Sequence, residues 1–255
     1  MKISIITTVF NNKEFIEDCI KSILEQSYEN IEYIIIDGAS TDGTIEIIKK
    51  YNHKISKWIS EPDSGMYDAL NKGIRIASGD VIGFLHADDF YAHGRVIENV
   101  MDTFRKENID ACYGNLQYVS KEDKNRVIRH WKSSIYKNSK FRYGWHPPHP
   151  TLFIKKEIYN KFGYFNTSLS IAADYELMLR FFEKYKISTS YIPQVLIKMR
   201  LGGKSNKSLK NILIQTYEDY KAWKLNGLNG GFVAVLLKKF SKVPQFLKAR
   251  NSQAI

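Results

Sequence analysis

What most constrains this chain is an alternation that runs through its first 115 residues. Short unbroken apolar runs are separated by stretches whose apolar residues recur every third or fourth position. The runs are "ISIITTVF" (3–10), "IEYIIID" (31–37), "ISKWIS" (55–60) and "DVIGFLH" (80–86), and "IDACYG" (109–114) closes the series. Between them lie Phe15, Ile16, Cys19, Ile20, Ile23 and Leu24 at helical spacing, then "GTIEIIKKY" (43–51), "YDALNKGIRIA" (67–77) and "RVIENVMDTFRK" (95–106). Strands without polar interruption are apolar on both faces, as a parallel sheet covered by helices on each side requires. The expected fold class is α/β: a Rossmann-like, mostly parallel sheet flanked by helices.

Residues 116–200 change character. Aromatics, prolines and histidines gather in "YGWHPPHPTLF" (143–153), a helix is expected over 174–185, and strands over "ISTSYIP" and "QVLIKMRL". "SNKSLKNILIQTYEDYKAWKL" (205–225) reads as a long helix, and "GGFVAVLLKKFSKVPQFLKAR" (230–250) as a cationic amphipathic stretch broken by Pro244. The division expected is one domain over 1–205, with halves 1–115 and 116–205, followed by a basic amphipathic helical extension over 206–255. No apolar run approaches the ~18 residues of a membrane-spanning helix. Asn11 and Asn12 end the first apolar run without a small-residue cleavage pattern, so it reads as a core strand and not a signal peptide. The two cysteines, Cys19 and Cys112, form no disulfide framework or metal knuckle, which fits a reducing cytoplasm.

Charge is unevenly spread. The formal net charge is +11, and beyond residue 200 there are ten Lys and Arg against only Glu218 and Asp219. Such an end favours a polyanionic surface, either nucleic acid or anionic lipid. Nucleic-acid binders interleave aromatics with Arg, which this end does not do. Bulky apolars mixed with Lys over 232–248 fit a membrane interface better, with an oligomer contact as the alternative.

Four polar clusters fall at strand ends: "VFNN" (9–12), "DGASTDGT" (37–44), "EPDSGMYDALNKG" (61–73) and "HADDF" (86–90). In a doubly wound sheet these ends converge on one crevice. Each cluster alone also has a structural explanation, as a turn or a helix cap. Together they would repel one another unless a cation sat among them. Mg2+ or Mn2+ takes carboxylate oxygens, with phosphates and water completing the shell. Neither a GxxxxGK[ST] nor a GxGxxG loop is present, so P-loop and dinucleotide chemistry lack support. A metal-bound diphosphate without a P-loop points to a nucleotide-sugar donor.

"SIITTVFNN", "IEYIIIDGASTDGT", "EPDSGMYDALNKGIRIASGDVIGFLHADD" and "AADYELMLRF" together resemble the motif series of family 2 glycosyltransferases with the GT-A fold. The resemblance spans roughly residues 3–205 and is strongest to bacterial enzymes of exopolysaccharide, capsule and O-antigen synthesis. It implies an inverting, metal-dependent transferase using a nucleotide-sugar donor and a lipid-linked saccharide acceptor, peripheral on the inner face of the cytoplasmic membrane. A sugar-nucleotide nucleotidyltransferase on a related fold is the alternative, but "TTVFNNKEF" lacks the Gly- and Arg/Lys-rich loop that chemistry uses.

The resemblance also implies roles. Asp88 matches the last acid of the Asp-x-Asp metal motif, with Asp89 beside it, while the first acid of that motif is His86 here. Asp37 matches the first acid of the Asp-Asp-Gly-Ser loop, whose second acid is replaced by Gly38. Thr8, Phe10 and Asn11 fall where the base is held, with Phe10 a candidate stacking partner. Asp68 and Asn71 share the helical segment that touches donor sugar or ribose. Arg200 and Lys204 flank paired glycines suited to a loop closing over a diphosphate. His149 is a candidate for the diphosphate or acceptor, a buried structural histidine being the plainer alternative. Asp174 matches the catalytic base, which must take the proton of the attacking hydroxyl. It also opens a helix, a position that favours its ionised form.

Overall fold

The computed structural model describes residues 1–202 and 209–240. Along the chain run β1 (Ile3–Val9), α1 (Ile16–Leu24), β2 (Ile31–Asp37), α2 (Thr44–Lys50), β3 (Lys57–Ser60), α3 (Met66–Ile76), β4 (Val81–Phe84), β5 (Phe90–Tyr91) and α4 (Val96–Lys106). They are followed by β6 (Ala111–Val119), β7 (Val127–Trp131), β8 (Phe153–Lys155), α5 (Lys156–Phe162), α6 (Ala173–Met178), β9 (Thr189–Arg200), α7 (Leu209–Leu225) and α8 (Gly231–Phe240). The sheet runs β3-β2-β1-β4-β8-β6-β9-β5, with β7 beside β6.

The first four strands are parallel, as the alternation requires. Successive side chains point to opposite faces, so β2 sends Ile34 and Ile36 into one core and Tyr33 and Ile35 into the other. Gly83 sits in β4 because a Cβ there would come within 2.6 Å of the Phe153 ring across the sheet. β8 is antiparallel to both β4 and β6, which makes the sheet mixed at its centre. The two strands expected over 187–201 are one strand, β9, running parallel to β6 with register shifts near Asn115. The helix expected over 174–185 splits into α6 and a π-helical turn, Leu179–Lys184.

The basic end divides differently from the expected boundary at 206. Helices α7 and α8 are part of the main core: Trp223 is 1% exposed, and Ala222, Ala234 and Val235 are buried in the cluster that also holds Tyr175 and Phe141. The Trp223 indole N–H donates to the Tyr175 hydroxyl at 3.1 Å. Gly231 lets α8 approach, since a Cβ there would lie 2.6 Å from Trp223 Cβ. Lys238 is buried on both oxygens of Asp219 at 2.8 Å and lies over the Tyr175 ring. Among the described residues no helix is long and apolar enough to cross a membrane.

Trp223→Ala should therefore lower stability by about 3–5 kcal/mol, the cost of a large buried aromatic deleted from a core. Urea unfolding followed by circular dichroism checks this; a loss under ~1 kcal/mol would show the helices to be a loosely held appendage.

Candidate active site

The carboxyl ends of β1, β2 and β3 are tied together by the polar side chains that terminate them. Asp37 is fully buried, and its Oδ2 accepts from the Ser40 N–H at 3.0 Å and the Ser60 hydroxyl at 2.6 Å. Its Oδ1 is sealed from solvent with no hydrogen-bond partner. Asn11 takes a left-handed φ of 49°, which asparagine tolerates, and its Oδ1 accepts the Thr41 N–H at 2.8 Å. Asp37 and Asn11 thus hold the strand tips, and the ligand-facing surface there is Phe10, 52% exposed, with Thr8 partly exposed beside it.

The tip of β4 carries the two adjacent acids, and the fold separates them. Asp88 is partly exposed. Asp89 is fully buried; its charge is felt by Cys19 and Tyr118, on the inner side of the sheet. Burial and the neighbouring Asp88 hold its carboxyl well above the usual carboxylate range, against the opposing pull of Arg200. Asp88 is therefore the member of the pair open to the crevice, while the Asp89 carboxyl is enclosed.

Arg200 is also reassigned. It is 4% exposed at the end of β9, and its guanidinium donates to the Asp88 carbonyl at 2.8 Å and to Asp18. Phe15 and Phe90 pack against that guanidinium. It braces the Asp88 loop. Lys204 lies outside the described residues, as do residues 241–255 with Pro244.

His86, on the same strand tip as Asp88, is drawn together with His149 and Asp174 from residues far apart in sequence. The rings of His86 and His149 are 6.1 Å apart, and His149 Nδ1 lies 3.8 Å from Asp174 Oδ2. Burial pushes the His86 pKa down, while both Asp88 and Asp174 pull it up. One imidazole therefore feels the metal-motif acid and the base at once. His149 is buried among Phe84, Phe165 and His86, with an Nε2 that has no partner. Its other ring nitrogen, Nδ1, is the one turned toward Asp174. Asp174 remains partly exposed, with a side chain 30% accessible.

Two residues missed by sequence reasoning hold Asp174 in place. The Tyr67 hydroxyl donates to the Ile171 carbonyl at 2.6 Å and lies 3.3 Å from Asp174 Oδ1. Glu218, from α7, accepts the backbone N–H groups of Ser170, Ile171 and Ala172 at 2.8–2.9 Å and the Ser170 hydroxyl at 2.7 Å. Burial raises the Glu218 pKa, but these hydrogen bonds outweigh it and leave the carboxyl below its ordinary value. The helix-opening role expected of Asp174 thus belongs to Glu218, because Asp174 lies inside the first turn of α6 and its cap position, Ala172, has no side-chain acceptor. The sequence signal was available: Glu218 is one of only two anions in a cationic end.

The two donor candidates of α3 are largely committed to the protein. Asn71 is buried, donating to the Phe165 carbonyl at 2.9 Å and accepting the Phe165 N–H at 3.0 Å. That clamp occupies both ends of its amide and replaces the expected donor contact. Asp68 accepts the Ser64 N–H at 3.1 Å and pairs with Lys72 at 3.7 Å.

Among the described residues no group of three or more His, Cys, Asp and Glu is arranged to hold a metal. The fit is to a cation that takes one carboxylate, Asp88, and completes its shell with diphosphate oxygens and water, as Mg2+ and Mn2+ do.

This architecture and crevice are those of a GT-A transferase, and comparison with known proteins agrees. The family model described as glycosyl transferase family 2 matches residues 4–165. The chain belongs to this family and is a glycosyltransferase. An uncharacterized glycosyltransferase of Mycobacterium tuberculosis is 31% identical over 182 residues, 70% of this chain and 68% of that protein. Chondroitin synthase of Escherichia coli is 29% identical over 95% of this chain, which spans only 34% of that longer protein. Among solved structures, residues 1–349 of S. aureus TarS in complex with UDP-GlcNAc superpose with a TM-score of 0.71 at 17% identity, covering 98% of this chain and 79% of that one. The mannosyltransferase PcManGT from Pyrobaculum calidifontis, in complex with GDP-Man and Mn2+, gives 0.65 at 16% identity, with coverage of 99% and 75%.

Two outcomes follow from the braces around Asp174. Glu218→Gln should lower kcat about 10- to 100-fold with donor KM within about twofold, because it displaces the base and leaves the donor side intact; steady-state kinetics at varied donor tests this. The His149 pKa is pushed down by burial to about 4, against Asp174. The unfolded chain then takes up the proton first as pH falls, so stability should drop by about 2 kcal/mol between pH 7 and pH 5. Thermal unfolding of His149→Phe over this range should be correspondingly flatter.

Proposed function

We propose that this transferase moves a sugar with inversion from a nucleotide-sugar donor to a saccharide hydroxyl, using a divalent cation at Asp88 and Asp174 as the base. The observation that carries this is that the fold brings Asp88 and Asp174, far apart in sequence, close enough to one imidazole, His86, for both charges to act on it. A divalent cation bound there would neutralise the leaving diphosphate. Asp88 is the partly exposed carboxylate that holds it, braced by Arg200 at its carbonyl. Asp174 accepts the proton of the incoming hydroxyl, oriented by the Tyr67 and Glu218 braces of its turn. A base that deprotonates the acceptor on the face opposite the leaving group gives single displacement and hence inversion.

The acceptor side is read from α7 and α8. Phe232, Val233, Leu236, Leu213 and Tyr217 are exposed there. Glu218 and Asp219, the only anions of that end, are both buried in the bonds described above. The outer surface of these helices is thus apolar and cationic, with Lys210, Lys224 and Lys239 exposed. This supports peripheral attachment to an anionic cytoplasmic leaflet and a lipid-linked acceptor, in bacterial surface polysaccharide synthesis.

Asp88→Ala should abolish Mn2+-dependent binding of the donor, measured by calorimetry. Asp174→Asn should keep that binding and lose at least about 100-fold in transfer. Transfer at the wild-type rate by Asp174→Asn would remove Asp174 from its role, and NMR of the product anomer reads the stereochemistry.

A further inference from the structure

The loop after β2 lacks a second acid, because Gly38 stands there. Its backbone does not require glycine, since φ at Gly38 lies outside the left-handed range; space does. A Cβ on Gly38 would lie 2.8 Å from Asp63 Oδ2 and 3.3 Å from Phe10 Cδ2. The carboxylate of Asp63, from the loop after β3, therefore fills the place a side chain at 38 would take, against the exposed Phe10 ring. Its orientation is held, because Oδ1 accepts the Gly65 N–H at 2.8 Å. Lys72, which feels the Asp63 charge, is itself bonded to Glu61 at 2.8 Å and to the Pro62 carbonyl. Oδ2 is thus presented at the edge of an aromatic platform, among the same strand tips where buried Asp37 Oδ1 has no partner.

We propose that Asp63 selects the donor's base and that the base is uracil or thymine, a reading that rests on the nucleotide-sugar function proposed above. A base stacked on Phe10 turns its pairing edge toward Oδ2. Uracil and thymine bring a single imino N–H, which a single carboxylate oxygen accepts. Guanine brings two adjacent donors and calls for both oxygens, but Oδ1 is committed to Gly65. Cytosine and adenine bring an acceptor nitrogen to that position, lone pair against carboxylate. A site built around one hydrogen bond rejects analogues that leave it unmade.

The test is calorimetric binding of UDP, dTDP, GDP, CDP and ADP, each with Mn2+, to the full chain. The wild type should bind UDP and dTDP at least tenfold more tightly than the other three, and the UDP and dTDP arms separate the two pyrimidine sources. Asp63→Asn keeps an oxygen for the Gly65 N–H and turns an amide N–H2 toward the base. It should weaken UDP at least tenfold and strengthen CDP, whose N3 accepts that donor. Phe10→Ala should weaken all five together, and unchanged melting of the ligand-free variants excludes misfolding as the cause. A preference for GDP or ADP, or UDP affinity unmoved in Asp63→Asn, overturns the proposal while leaving the transferase reading in place. Binding of none of the five overturns the donor reading itself, and the assignment of Asp63 falls with it.

Discussion

Three adjacent strands of this protein, β2, β1 and β4, run in one direction and are sealed by side chains on both faces, with β3 half-exposed beside them. Polar chemistry therefore gathers at their carboxyl edge. Every polar group brought to that edge must then be bonded by the protein or left for a ligand, because water is largely excluded from the strand tips. Asp37 shows both conditions in one side chain. One oxygen ties the loops after β2 and β3, and the other is buried with no partner. The same division separates Asp88 from Asp89, one partly exposed and the other enclosed.

Asp174, the proposed base, is held from the far end of the chain. Asp174 sits in the first turn of a helix too short to order itself, since isolated helices of a few residues are unstable without tertiary support. Three backbone N–H groups of the turn before it converge on Glu218. Helix α7 is fixed in turn by Trp223 in the core and by the buried Lys238–Asp219 pair to α8. The C-terminal helices and the turn that carries Asp174 are therefore one packed unit. A buried charge pair of this kind contributes more to the uniqueness of the arrangement than to its net stability.

Two departures from the family's motifs are reconciled by neighbouring side chains. His86, in place of an acid, lowers the negative charge around Asp88 and feels the charges of both Asp88 and Asp174. Gly38 leaves room that the Asp63 carboxylate occupies.

Local pattern alone determined the parallel half of the sheet. Strands such as Ile31–Asp37 carry an unbroken apolar stretch from Tyr33 to Ile36, and the intervening helices repeat at three and four; both signals are short-range. The ordered motifs likewise pointed to the family, which the matching family model shows over residues 4–165. Only the tertiary structure decided how each polar residue is spent. Nothing in "ADDF" distinguishes a carboxylate in the crevice from its enclosed neighbour, and Asn71 and Arg200 are committed to partners 94 and 112 residues away. The antiparallel insertion of β8 and the docking of α7 and α8 were equally hidden, because they depend on shape complementarity between distant segments. Hydrophobic periodicity reports which face of an element is buried, but not what buries it.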